Sequence, residues 1–171
     1  MRILLMMAST LDGIVAKNSN HNADWTSKAD KREFIAETKK HGVIIMGLNT
    51  YKAIGKPLPG RLNLILTPTP EELKDKTIPG ALEFFAGSPL EVVSHLKSRG
   101  FETAILGGGP YTNSSFLKAG LVDEILITIE PKLFGDGMTF AKGNDLDLNL
   151  ELIEAKPIGD SAVHLRYKVI K

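Results

Sequence analysis

Short apolar runs of strand length recur along the chain, and segments with helical spacing separate most of them. Several runs are apolar at almost every position, as expected for parallel strands that are covered on both faces of a sheet. The last run alternates apolar with polar residues and follows Gly159-Asp160, which indicates a hairpin over 150–170 with one solvated face. The predicted strands cover residues 3–8, 43–46, 62–66, 82–85, 103–106, 124–129, 150–153 and 163–170.

Helical spacing of apolar residues marks 28–40, 89–99 and 110–119, and glycines follow the last two segments. Strands that alternate with helices and end in a hairpin predict one α/β domain over residues 1–171. Its sheet is expected to be mainly parallel, with antiparallel strands at the C-terminal end. Residues 67–80 and 132–149 are polar and contain Gly and Pro, so we expect loops there.

The composition excludes several classes of function. The 171 residues include 21 Lys and Arg, 20 Asp and Glu and no Cys. A nearly neutral chain has no electrostatic signature of nucleic-acid or membrane binding, and without Cys there are no thiolate metal sites. The four histidines lack metal-ligand spacing, so no metal is expected. No stretch approaches the ~20 apolar residues of a membrane span. Because the sequence shows no export signal and no Cys, we expect a cytoplasmic protein. We expect a monomer, with a dimer as the alternative.

One candidate acid lies on the first predicted helix. Asp30, Phe34 and Thr38 share one helical face, so Asp30 extends the apolar stripe with a carboxylate. The ordinary explanation is structural, because Ser27-x-x-Asp30 resembles a capping box. On spacing alone, the cap is the favoured interpretation.

Two glycine-bearing turns are candidate ligand sites. A strand ends at Met46-Gly47 and a helix opens at once with Asn49-Thr50, while Gly107-Gly108-Gly109 joins another strand to a helix. Such turns expose backbone N–H groups and allow a ligand close approach. Each is also compatible with a simple turn, and the triplet lacks the G-x-G-x-x-G fingerprint.

Two polar side chains beside buried strands complete the set of candidates. Arg61 follows a stiff Pro-Leu-Pro-Gly turn, where a guanidinium is suited to a carboxylate or phosphate, although a surface arginine is the simpler interpretation. Thr128 is a lone hydroxyl in an apolar strand, where Thr usually serves as a β-branched filler.

The order of these motifs resembles that of the dihydrofolate reductase family. The family's spacing of Trp, Asp, Phe and Thr is matched at Trp25, Asp30, Phe34 and Thr38. Met46-Gly47, Thr50-Tyr51, residues 57–63, the glycine triplet and Thr128 follow in the family's order. Two further stretches, residues 9–14 and 121–135, more closely resemble the riboflavin-pathway reductases of the same fold.

The resemblance implies a mostly parallel eight-stranded sheet with helices on both faces. It implies reduction of 7,8-dihydrofolate to tetrahydrofolate by hydride transfer from NADPH. The alternatives are a riboflavin-pathway reductase of a ribosylaminopyrimidine and a non-catalytic nucleotide- or pterin-binding module. Leu48 stands where the family often has a basic residue that reads the cofactor phosphate, so NADH stays open. Residues 17–24 depart from the family's active-site loop.

The resemblance also assigns roles to individual residues. Asp30, with a raised pKa, would bind the pterin amino group and N3, Trp25 would hold a water, and Thr128 would orient Asp30. Arg61 would bind the glutamate carboxylate. The implied pterin and benzoyl pocket contains Met6, Met7, Phe34, Ile54 and Leu58. The implied cofactor site contains Ala8, Val15, Gly47, Asn49, Thr50, Thr67, Gly107, Gly108, Gly109 and Tyr111. A cis peptide is implied between Gly107 and Gly108.

Overall fold

The computed structural model describes residues 1–19, 21, 23–143 and 146–171. Eight strands form the main sheet: β1 (Arg2–Thr10), β3 (Val43–Gly47), β4 (Leu62–Leu66), β5 (Leu82–Phe85), β6 (Thr103–Leu106), β7 (Val122–Glu130), β9 (Leu150–Ile158) and β10 (Ala162–Val169). The α-helices are α1 (Lys28–His41), α2 (Leu48–Ile54), α3 (Pro89–Ser98) and α4 (Pro110–Lys118). Two short strands, β2 (Ile14–Ala16) and β8 (Met138–Thr139), pair separately.

The strand order of the main sheet is β5-β4-β3-β6-β1-β7-β10-β9. All neighbouring pairs are parallel except β7–β10 and β10–β9, which confirms the mainly parallel sheet with an antiparallel end. The prediction of featureless loops was incomplete. Pro70–Lys76 forms a 3₁₀ helix, and β8 lies within 132–149. A two-residue strand is too short to show any periodicity.

Each face of the sheet carries its own helices and its own apolar core. On one face, Phe116 and Leu117 of α4 and Leu96 of α3 pack on the strands. On the opposite face, Phe34 of α1 and Ile54 of α2 pack against another set of strand side chains. Two covered faces explain why the central strands are apolar at nearly every position. In the described part of the chain, no helix has the length and apolar character to cross a membrane.

The burial pattern of β10 reverses the expectation from its sequence at one end of the strand. His164 was expected on the solvated face, yet it is 3% exposed, while Val163 is 37% exposed. At the other end the expectation holds, because Val169 is buried and Lys168 is exposed. Helix α1 covers the first end, where Ala29 packs with Ile158 and Ala162. The sequence does not show which side of a strand a distant helix covers.

Candidate functional site

The candidate site lies at the carboxyl ends of the central parallel strands. The chain runs from β1 past the position of β6 to β3, and later returns to place β6 between them. Ligands of open α/β sheets bind where the strand order changes in this way. The turns after β3 and β6 meet here, since Gly47 N–H donates to Gly108 O at 2.8 Å and Gly107 N–H donates to Ile45 O at 2.8 Å.

Both turns need glycine because of what lies against them. A Cβ on Gly47 would stand 2.8 Å from Thr112 Oγ1, and one on Gly109 would stand 3.1 Å from Thr50 Oγ1. Gly108 has a φ of +93°, and a Cβ there would be 2.9 Å from Met7 Sδ. A nucleotide phosphate fits such bare backbone beside helix starts and a hydroxyl. The cis peptide lies between Gly108 and Gly109, one residue later than the resemblance implied.

The other residues of the implied cofactor site are distributed around these turns. Val15 is buried in β2, and Thr67 is buried just after β4. Ala8 is partly buried in β1, opposite Thr128 of β7. Asn49 is exposed in the first turn of α2. Tyr111 is 70% exposed, and its ring carries Lys142 Nζ at 5.2 Å from the centroid.

Asp30 is a buried carboxylate, 7% exposed, and it does not close a capping box. Ser27 Oγ accepts from Asp30 N–H at 3.1 Å, so Ser27 caps α1 as expected. The reciprocal bond goes elsewhere, because Ser27 N–H donates to Glu130 Oε1 at 2.8 Å. The favoured interpretation of Asp30 as a cap was therefore wrong for its side chain. The carboxylate bonds instead with the hydroxyls of Thr128 and Thr26.

Burial raises the pKa of Asp30 above its ordinary value, and the nearby Glu130 carboxylate acts in the same direction. The hydrogen bonds with Thr128 and Thr26 and the neighbouring His164 oppose this rise in the pKa of Asp30 without cancelling it. Ionisation of a carboxyl in this environment costs free energy, and a ligand that donates hydrogen bonds to the carboxylate reduces that cost. Such a group in a ligand-binding cleft is a candidate for substrate recognition.

The raised pKa predicts that Asp30 limits stability at neutral pH. A carboxyl whose folded pKa exceeds its unfolded pKa costs free energy above both values, and the cost disappears below the unfolded value of about 3.9. Asp30→Asn is therefore expected to increase the free energy of unfolding at pH 7 by roughly 0.5–2 kcal/mol, a common range for stabilising replacements. Urea unfolding at several pH values should show this gain shrinking towards acidic pH. A gain that is the same at every pH would contradict it.

Four of the implied pocket residues form one apolar cluster. Met6, Phe34, Ile54 and Leu58 pack together on the face covered by α1 and α2. Met7 points to the opposite face, towards Gly108, because successive residues of a strand alternate. The structure thus brings Phe34 close to Met6 and places the Met7 side chain elsewhere.

Arg61 is a buried cation, 6% exposed, rather than a surface arginine. Its Nε and Nη2 donate to Pro59 O at 3.1 and 2.9 Å, and Nη1 donates to Thr38 Oγ1. Burial lowers the pKa of Arg61. Across the described ranges no carboxylate pairs with this guanidinium. Two of its five N–H groups are therefore left for an anion.

Trp25 lies in an aromatic cluster with two residues that the sequence did not indicate. Its ring stacks on His21 at 6.5 Å and meets Phe134 edge-on at 5.1 Å. Asp12 holds this segment, since its carboxylate accepts from Phe134 N–H at 3.1 Å and from Gly135 N–H at 2.7 Å. These contacts join the segment before α1 to the one after β7.

Three further polar residues around Asp30 escaped the sequence analysis. Thr26, Glu130 and His164 are all buried, at 8%, 2% and 3% exposure. His164 Nδ1 lies 3.3 Å from Thr128 Oγ1, directly across the β7–β10 pair. Polar residues predicted on a solvated face, or beside a cap, give no sign of burial until the strands are paired. His164 in particular was missed because the sequence analysis assigned it to the solvated face of β10.

The family model described as the RibD C-terminal domain matches residues 64–164. The 2,5-diamino-6-ribosylamino-4(3H)-pyrimidinone 5′-phosphate reductase of Methanothermobacter thermautotrophicus is 24% identical over 206 residues, which cover 94% of this chain and 95% of that protein. These findings favour the alternative drawn from residues 9–14 and 121–135 over dihydrofolate reductase itself.

Solved structures agree with the fold. A pyrimidine reductase-like protein from Corynebacterium diphtheriae has a TM-score of 0.83 at 17% identity, covering 99% of this chain and 92% of that chain. Dihydrofolate reductase from Enterococcus faecalis, complexed with NADP(H), has a TM-score of 0.77 at 20% identity, covering 99% and 97%. The chain therefore has the dihydrofolate reductase-like fold that the motif order implied.

Proposed function

The chain belongs to the family of the RibD C-terminal domain, and we propose that it is an NADPH-dependent reductase of a ribosylaminopyrimidine phosphate. The observation that carries this proposal is the buried Asp30 carboxylate, bonded with Thr128 at the carboxyl end of the sheet. The name of the archaeal relative supports the substrate class. The catalytic group proposed here is Asp30, with Thr128 as the residue that orients it and Trp25 as the residue that would hold a water near it.

The chemistry of the substrate matches that carboxylate. A 2-amino-4(3H)-pyrimidinone ring presents two donors along one edge, the 2-amino N–H and the N3–H. An ionised carboxylate offers two acceptors at the same spacing, so the pair forms two charge-assisted hydrogen bonds. Desolvation of Asp30 strengthens such hydrogen bonds and weakens the binding of any ligand that leaves the carboxylate unpaired. Met6 and Phe34 would cover the ring faces.

The phosphate of the substrate needs a cation, and Arg61 is the buried cation of the described site. Its guanidinium is fixed by Pro59 O and Thr38, which removes the entropic cost of ordering a long side chain. The two N–H groups that remain suit two oxygens of one phosphate. We infer that Arg61 recognises the anionic end of the substrate and leaves the cofactor to other residues.

The glycine turns are the proposed cofactor site. Gly47, Gly108 and Gly109 would admit the pyrophosphate to the backbone, and Thr50 would offer it a hydroxyl. When bound, NADPH supplies a hydride, for which the open-chain imine of a ribosylamine is an acceptor. Leu48, partly buried against the α1–α2 core, leaves the choice between NADPH and NADH to experiment.

A second candidate is reduction of 7,8-dihydrofolate, because the pterin ring has the same donor edge. The placement of Asp30 against Thr128, with Arg61 buried next to Thr38, is compatible with this candidate as well. In this case Arg61 would bind the glutamate carboxylate instead of a phosphate. Asp30 serves both substrates equally, and Arg61 accepts either anion.

A direct assay separates the candidates. Purified protein is expected to oxidise NADPH when 2,5-diamino-6-ribosylamino-4(3H)-pyrimidinone 5′-phosphate is added. The matched uracil compound carries a carbonyl oxygen at C2, which repels the carboxylate, so kcat/KM should fall at least about 100-fold. Turnover of dihydrofolate alone would establish the second candidate. Cofactor binding without either reaction would indicate a nucleotide- or pterin-binding module. Each reaction is repeated with NADH.

A further inference from the structure

His164 has no part in the function proposed so far, although it is a buried imidazole one hydroxyl away from Asp30. It lies in β10 directly opposite Thr128 of β7, with its Nδ1 3.3 Å from Thr128 Oγ1. Thr128 is 0% exposed, so no water competes for its hydroxyl from the bulk. Thr128 also hydrogen-bonds with Asp30. The three side chains form a continuous buried chain.

Charged groups from two elements face this imidazole. Asp30 and Glu33 come from α1, and Lys156 and Glu154 come from β9 across the hairpin. Lys156 Nζ pairs with Glu33 Oε1 at 3.5 Å, so two of these charges partly neutralise each other. Glu130 acts on Asp30 from β7. Burial lowers the pKa of His164, which favours a neutral ring that carries one N–H.

The single proton of the Thr128 hydroxyl fixes the direction of the hydrogen bonds. When Asp30 is ionised it can only accept, so Thr128 donates to Asp30. Thr128 Oγ1 must then accept from His164, which requires the proton on Nδ1. When Asp30 is protonated it can donate to Thr128, whose own proton is then free to point at His164. Nδ1 must now accept, which requires the proton on Nε2.

We propose that His164 is a positioning residue that acts through Thr128, and that the hydrogen bonds of the His164–Thr128–Asp30 chain reverse direction when Asp30 takes up a proton. The two arrangements differ by one proton, which is relayed along the three side chains. A proton enters at His164 Nε2, the Nδ1 proton passes to Thr128 Oγ1, and the former hydroxyl proton of Thr128 passes to Asp30. One proton enters, one is gained by Asp30, and His164 and Thr128 end neutral.

The value of such a chain follows from the proposed function, on which this step rests. Hydride reduction of an imine consumes one proton per turnover. A ligand that covers Asp30 blocks its access to water from the cleft. The chain of side chains runs from Asp30 of α1 through Thr128 of β7 to His164 of β10, and this proposed route lets Asp30 change its charge state while the substrate is bound. His164 also stabilises the ionised form of Asp30, because its Nδ1–H polarises the Thr128 hydroxyl.

NMR of the ligand-free protein tests the proposal independently of any substrate. Nitrogen-15 spectra of His164 and carbon-13 spectra of the Asp30 carboxyl are recorded across a pH titration. We expect the Nδ1–H tautomer at neutral pH and conversion to Nε2–H with the same midpoint as protonation of Asp30. A tautomer that does not change through that midpoint, or an imidazolium that forms there, would overturn the proposal. Failure of the substrate assay leaves this result unaffected.

Variants distinguish a role of His164 in the His164–Thr128–Asp30 hydrogen bonds from a role in packing alone. His164→Leu is expected to raise the Asp30 midpoint by about 0.4–1 pH unit, which corresponds to one hydrogen bond. His164→Asn, whose amide stands near the Nδ1 position, should restore most of that shift. An Asp30 midpoint in His164→Leu equal to that of the wild type would contradict the positioning role of His164. If His164→Leu does not fold, Thr128→Val replaces it, and His164 should then lose its response to Asp30.

A second histidine–threonine pair gives an internal reference. His41 Nδ1 lies 2.7 Å from Thr103 Oγ1, and burial lowers the pKa of His41 as it does that of His164. This pair has Glu37 as its acidic neighbour and no contact with Asp30. The His41 tautomer is therefore expected not to change at the pH of the Asp30 midpoint. Asp30→Asn should remove the step from His164, and a His164 step that persists in this variant would refute the coupling.

Discussion

Asp30→Asn is expected to lower kcat/KM for the aminopyrimidine substrate by about 100- to 1,000-fold at neutral pH. The carboxylate offers two acceptors to the two donors of the ring edge, whereas the amide offers one acceptor and one donor. The variant loses one charge-assisted hydrogen bond and sets a donor against a donor. Each of these two effects is expected to cost about 1.4–2 kcal/mol in a desolvated site, and together they give the stated loss. Steady-state kinetics with the wild type and the variant measure the effect.

The pH dependence of the same reaction identifies the group responsible. Because the pKa of Asp30 is raised, wild-type kcat/KM should fall as pH decreases through that pKa, where the carboxyl becomes a donor. Asp30→Asn should lack this acid limb. Asp160→Asn, in the exposed turn of the β9–β10 hairpin, is the matched control and should behave as wild type. Wild-type activity in Asp30→Asn would reduce Asp30 to a structural role.

Gly108→Ala is expected to remove roughly 2–5 kcal/mol of stability and to abolish cofactor binding. A Cβ at φ +93° costs about 1–2 kcal/mol by itself. The new atom would also stand 2.9 Å from Met7 Sδ on a packed face of the sheet, and overpacking adds about 1–3 kcal/mol. The shift needed to relieve this contact would move the backbone that is proposed to receive the cofactor phosphates.

Gly120→Ala is the control for that substitution. Gly120 has a φ of +66°, and a Cβ there would meet nothing within 4 Å. Its replacement isolates the cost of the backbone conformation, so the excess in Gly108→Ala reports the contact with Met7. Urea unfolding gives both values, and calorimetric titration with NADPH gives the affinities. Equal stability losses in the two variants would show that Met7 moves aside without cost.

The sheet was predictable because its central strands are buried on both faces. Such strands leave long apolar runs, and the runs at 43–46, 62–66 and 103–106 agree with β3, β4 and β6 to within one residue. Helix boundaries were equally visible, since Ser27 caps α1 through local backbone geometry and Gly100 and Gly120 follow closely on the ends of α3 and α4. Motif order also identified the fold, although the family model that matches is the RibD C-terminal domain and not dihydrofolate reductase.

Which face of β10 is buried at the end covered by α1 was not predictable from the sequence. Period-2 alternation fixes which residues share a face, and only the packing of α1 decides which of the two faces is buried there. His164 therefore looked like a solvated residue. Arg61 was hidden in the same way, because its burial depends on Thr38, 23 residues away in sequence.

The strands, the helix starts and the glycine turns follow from local sequence, because spacing and backbone conformation depend on neighbouring residues. The role of the Asp30 carboxylate depends instead on contacts between distant segments. Ser27 had two carboxylates that it might have bonded, one three residues away and one 103 residues away, and the distant Glu130 took the position. This released the Asp30 side chain towards Thr128. Long-range pairing of β7 with β1 and β10 sets that competition, and no local pattern records its outcome.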